Sequence, residues 1–151
     1  MIAKDMEPIS LTAKEGFQAL LKKLAPLYKI PSPKTIINKL ENKFVLLKNK
    51  FIHDLDNSIC YCSTADCWKD NSNQTYMGIT VTLLTNTFDW TTRVLGLFPL
   101  SERHTGENLK EIIENSFKDF KVDKKKLTVL STDGEQAIKN AAIGVVGNFI
   151  I

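Results

Sequence analysis

The apolar residues change their period once, near Asn57, and this change most restricts what the chain can become. Upstream, Ile37, Leu40, Phe44, Leu47 and Phe51 recur at alternating steps of three and four, the spacing of one stripe on a helix. Downstream, Ile79, Val81 and Leu83 alternate with Thr80 and Thr82, the period-two pattern of a strand with one buried face. Neither half can adopt the geometry of the other without turning its apolar set toward water. The spacing therefore predicts two parts, a helical segment over residues 1–56 and an α/β part over residues 57–151.

The helical segment reads as two helices. Thr12-Ala13-Lys14-Glu15 has the form of a capping box, Phe17, Leu20, Leu21 and Leu24 follow at helical spacing, and Pro26 stops the run. Pro31-Ser32-Pro33 is a stiff linker in which Ser32 caps the second helix and Pro33 takes its first position, where a missing N–H costs nothing. Residues 1–56 hold 10 Lys and 6 acids, a net +4, against a net −1 over the remainder. Lys39, Lys43, Lys48 and Lys50 lie off the apolar stripe, where they form either a solvated face or a contact to a phosphate backbone.

In the second part, Ser58 to Ala65 reads as a strand ending at Asp66, and Lys69 to Gln74 as a polar loop. Thr75 to Leu84 is a strand, Thr85-Asn86-Thr87 a turn, and Phe88 to Leu97 an antiparallel return. Thr105 caps a helix striped by Leu109, Ile112, Ile113, Phe117 and Phe120. Leu127 to Thr132 is a buried-type strand ending at Asp133, and a further helix opens at Gly134. The expected order is β-β-β-α-β-α. With 151 residues, 43% hydrophobic and 25% charged, and a net charge of +3, the composition excludes a disordered chain and places the protein among soluble domains. Three cysteines are too few for a disulfide scaffold, and the sequence offers neither a signal peptide nor a run long enough to span a bilayer. An intracellular protein without membrane contact is expected.

Asp66 and Asp133 share a context, each closing an apolar strand after small residues: Ser63-Thr64-Ala65-Asp66 and Leu130-Ser131-Thr132-Asp133. Carboxylates at neighbouring strand ends can converge on a divalent cation, and they can equally cap the turn that follows. Cys60, Cys62 and Cys67, with His53, lack the paired Cys-x2-Cys spacing of structural zinc and read as small buried hydrophobes. His104 precedes a helix start and reads as a loop or capping residue.

Taken in order, several segments resemble the hAT-superfamily transposases and the BED-type zinc finger proteins related to them. Tyr61 to Asp70 resembles the stretch around that family's first catalytic aspartate, and Tyr76 to Val81 its next strand. Gly96-Leu97-Phe98-Pro99-Leu100 with His104-Thr105-Gly106-Glu107-Asn108 resembles the approach to its helix, and Ser131-Thr132-Asp133-Gly134 the second catalytic aspartate. The resemblance implies an RNase H-like fold in which the first and fourth strands are neighbours. It implies that Asp66 and Asp133 are catalytic and hold Mg²⁺ or Mn²⁺, and that Trp68 is the aromatic just after the first acid; of packing beneath the site and a plain core role, the core is the expectation for so large an aromatic. DNA is the implied partner, a protein partner or oligomer a further one, and the nucleus the implied location.

The family's third acid, a distant Glu, and its Cys-x-x-His motif, BED finger and dimerisation segment find no counterpart, and residues 144–151 match no family pattern. An incomplete RNase H-like fold with a bare sheet edge is the expectation. The leading functional expectation is a fragment of an hAT-type DNA transposase, or of a transposase-derived nuclear protein, inactive alone. A non-catalytic nuclear interaction module is the alternative, and a small metal-dependent nuclease, with Asp70 or Glu107 as third acid, the lesser one.

Overall fold

The computed structural model describes residue 2 and residues 4–100, 105–133, 136–145 and 149–150. It divides into two compact units, Met1–Asn49 and Lys50–Ile151, and the boundary along the chain falls within a helix.

The first unit contains a short 3-10 turn, Ile9–Ala13, the helix α1, Glu15–Leu24, and the beginning of α2, Pro33–Asp56. Ser32 caps α2 as its sequence predicts, its Oγ accepting from the Thr35 N–H at 3.2 Å. The predicted capping box does not form. Thr12 lies inside the 3-10 turn, and its hydroxyl donates back to the Ile9 carbonyl at 3.4 Å, so Lys14 precedes α1 without a side-chain cap. The local turn takes the hydroxyl first, and Gln18 Nε2 donates to the Thr12 carbonyl at 2.9 Å instead. Among the described residues up to Asn49, only Thr12 is buried. The α2 stripe stays open at Ile37, Phe44 and Leu47, and becomes buried only at Phe51 and Leu55 in the second unit.

The second unit is built on a sheet of five strands: β1, Cys60–Lys69; β2, Thr75–Leu84; β3, Trp90–Leu100; β4, Leu127–Thr132; and β5, Phe149–Ile150. Their order across the sheet is β3-β2-β1-β4-β5. β1, β2 and β3 pair antiparallel as a meander, whereas β1–β4 and β4–β5 are parallel. The parallel pairs need crossovers, supplied by α3, Gly106–Asp119, and α4, Gln136–Val145. Alternation then sorts the side chains. Tyr61 and Ala65 of β1 and Met77, Ile79, Val81 and Leu83 of β2 are buried in one core with Leu109, Ile113 and Phe117 of α3 and Ile138 and Ala142 of α4. On the other face, hydroxyls meet across strands, Thr64 with Thr80 at 2.7 Å and Thr82 with Thr92 at 2.8 Å. Gly106 lets α3 start close to α4, because a Cβ there would lie 3.1 Å from the Ala137 carbonyl and 3.2 Å from Asn140 Cβ.

The strands differ from the sequence expectation at their ends. β1 does not stop at Asp66 but continues to Lys69, because its pairing with β2 persists to Lys69–Thr75. β3 starts at Trp90, not Phe88; Phe88 sits in the turn at φ 62°, its N–H bonded to the Thr85 carbonyl at 2.9 Å. Residues 149 and 150, in the tail that matches no family pattern, add the short β5 beside β4, so the bare edge expected there is covered over two residues. The α/β class and the adjacency of the first and fourth strands agree with the sequence.

Candidate acidic site on the sheet

Parallel pairing places Ala65 of β1 opposite Thr132 of β4, and the residues that follow them are Asp66 and Asp133. Ala65 and Thr132 are buried, at 0% and 5% exposure, whereas Asp66 and Asp133 are exposed. Asp66 therefore stands on the face opposite the core, with Asp133 at the adjacent strand end. The register thus places the two aspartates that the sequence singled out one residue beyond the last β1–β4 pair, Asp66 on β1 and Asp133 just past β4. Asp66 lies within its strand, not at its end.

On the other side of Asp66, its partner on β2 is Gly78. The Trp68 indole lies over this glycine; a Cβ at residue 78 would come within 2.9 Å of the ring. Trp68 is stacked on Tyr76, with centroids 6.3 Å apart and an interplanar angle of 28°, and remains 46% exposed. The core role expected of Trp68 is corrected: it shares the open face with Asp66 and packs across the strands, in space that Gly78 leaves. Tyr76 and Gly78 complete this aromatic floor and were not singled out from the sequence as site residues. The only signal was a glycine inside an otherwise β-branched strand, which marks a close approach by another group.

Asp70, a candidate third acid, has a different role. Its Oδ1 accepts from the Ser72 hydroxyl at 2.7 Å, the Ser72 N–H at 2.8 Å and the Gln74 N–H at 2.9 Å, closing the β1–β2 turn. The Ser72 hydroxyl first, then the Gln74 N–H, holds this carboxyl below the usual carboxylate range. Glu107 is exposed in the first turn of α3, beside a small cleft with Thr105, Lys110 and Asn140. Among the described residues, no group of three His, Cys, Asp or Glu side chains is placed to hold a metal. Cys60 and Cys62 alternate with Asp66 on the open face, while Cys67 packs against the core from the opposite side. His53 is on α2, its Nδ1 3.9 Å from Asp54. His104, Gly134 and Glu135 lie outside the described residues.

Lys39, Lys43 and Lys48 lie on α2 in the first unit, and Lys50 in the second. Lys50 lines a polar hollow of about 570 Å³ with His53, Asn57, Thr91 and Arg93. No helix among the described residues is long and apolar enough to cross a membrane.

A mixed sheet of this order, with the parallel β1–β4 pair at its centre and helices α3 and α4 as crossovers, is that of an RNase H-like domain. The chain belongs to the ZBED1 RNase-like domain family, whose model matches residues 64–146. It is similar to a Talaromyces stipitatus protein named as the transcriptional regulator tpeD, with 28% identity over 125 residues, 81% of this chain and 15% of that protein. It is also similar to a Zea mays protein named as the AC transposase, with 26% identity over 140 residues, 92% of this chain and 17% of that protein. A second Zea mays protein, named as the AC9 transposase, matches to the same extent. The chain spans less than a fifth of the length of each of these relatives.

Proposed function

We propose that this chain is a DNA-associated, transposase-derived domain of a nuclear protein, which keeps a two-carboxylate cation site and does not cut or join DNA by itself. The observation that carries this reading is the β1–β4 register, which sets Asp66 and Asp133 each one residue beyond the Ala65–Thr132 pair, both exposed. The donor set fits Mg²⁺ or Mn²⁺, hard cations that take one or two carboxylates and keep several waters. Asp66 and Asp133 would hold the ion, which when bound supplies Lewis-acid polarisation of a phosphoryl oxygen. The residues' own part is to fix two anionic oxygens on a rigid sheet. Clamping both the attacking and the leaving oxygen of a phosphodiester takes a second metal and more ligands than these two carboxylates provide.

The test is a titration of the protein with Mn²⁺, followed by paramagnetic broadening of amide resonances, alongside incubation with a transposon-end duplex. Broadening should centre on Asp66 within β1 and on the end of β4, and Asp66→Ala or Asp133→Ala should each weaken binding by about tenfold or more. No strand cleavage is expected. Cleavage abolished by Asp66→Ala would overturn the inactivity, and unlocalised broadening would overturn the cation site. A second reading, a protein-interaction module that keeps the sheet as scaffold, is favoured by the exposed apolar side chains of α1 and α2.

A further inference from the structure

The first unit exposes apolar surface that its own residues do not cover. Ile37, Phe44 and Leu47 of the α2 stripe are 40%, 56% and 55% exposed, and Leu24, the last residue of α1, and Leu27 beyond it are 73% and 101% exposed. An apolar groove of about 490 Å³, lined by Phe17, Leu21, Tyr28, Ile30, Pro31 and Ile36, opens at the first turn of α2, one residue before the stripe begins at Ile37. A helix face with several large apolar side chains in water, next in sequence to an apolar groove, points to an interaction site.

Charge selects the occupant. Residues 1–49 carry 9 Lys against 4 acids. At about 100° per residue around the helix, Lys34 and Lys48 fall on one flank of the stripe and Lys43 on the other, with Glu41 the lone acid among them. A second copy of this stripe would bring like charges together along both flanks. A phosphate backbone would match the lysines, including Lys39 and Lys50, yet leave Ile37, Phe44 and Leu47 in water. A helix apolar on one face and acidic beside it satisfies both features.

We propose that the α2 stripe and adjoining groove form a docking site for an acidic amphipathic helix of a partner protein. The proposal rests on the interaction-module reading and not on the acid pair, so loss of Mn²⁺ binding leaves it intact. The probe is a fluorescent synthetic peptide of about 18 residues, roughly five helical turns, with leucines at three–four spacing and glutamates between, titrated with the full chain. The periodic peptide should bind at least about tenfold more tightly than a scrambled one of the same composition, and Phe44→Ser/Leu47→Ser should cost a similar factor. Both positions are exposed, so circular dichroism of this variant should match the parent. Lys43→Glu/Lys48→Glu should weaken the acidic peptide and favour a lysine-containing one. Equal binding of periodic and scrambled peptides overturns the proposal. So does a dimer in sedimentation equilibrium that is lost in Phe44→Ser/Leu47→Ser, which would make the occupant a second copy. A DNA duplex that displaces the peptide at equal concentration would assign the surface to phosphate instead.

Discussion

Tyr61 is 1% exposed, and its hydroxyl donates to the Asp123 carbonyl at 2.6 Å, joining β1 to the turn that leads into β4. Burial pushes its pKa from 10.0 to about 12. The folded state therefore keeps this proton at pH values where the unfolded chain has lost it. The associated stability is fully present below pH 10 and is lost as the pH rises toward 12. Tyr61→Phe should cost about 1 kcal/mol at neutral pH and should flatten the decline of the urea midpoint between pH 10 and 12. A decline of undiminished slope would assign it to other groups. At this scale the sequence was informative wherever a residue's role depends on its immediate neighbours. Asp66 and Asp133 could be found because each follows a small-residue run. Trp68 could not be placed, because its position depends on Gly78 and Tyr76 on another strand.

Elements with a self-contained start were the ones whose beginnings could be read. Ser32 and Thr105 each accept an N–H three residues ahead, at 3.2 and 3.3 Å, so α2 and α3 begin as the sequence predicts. Thr12 fits the same pattern on paper but is drawn into the preceding turn. The end of β1 and the start of β3 are set by pairing with β2, which propensity along one strand does not contain. β5, with two residues, is shorter than any period a sequence can display. Because α3 covers the core from a start fixed by Thr105 and by the close approach of Gly106 to α4, Thr105→Ala should destabilise the protein by about 1 kcal/mol. Amides of the first turn of α3 should exchange faster, and unchanged exchange there would show that packing on α4 alone sets the start.

The whole molecule is uneven. Every residue of the buried apolar cluster lies at or beyond Phe51, although the sequence carries comparable apolar patterning on both sides of Asn57. Periodicity reports that an apolar face exists and cannot say what covers it, so the α2 stripe could be foreseen and its exposure could not. The parallel β1–β4 pair has a consequence for how the molecule is assembled. The β1–β3 meander closes through short turns, whereas joining β1 to β4 must bring together positions as distant as Tyr61 and Asp123, 62 residues apart. Distant pairing carries a larger closure entropy and forms late in folding. The positions of Asp66 and Asp133 are therefore set beside one another only when the fold is nearly finished, and an ion held there, as proposed, would act as a latch and not as a nucleus. Stopped-flow measurements should find unfolding slowed by Mn²⁺ and refolding unchanged; accelerated refolding would mean that the pair assembles early.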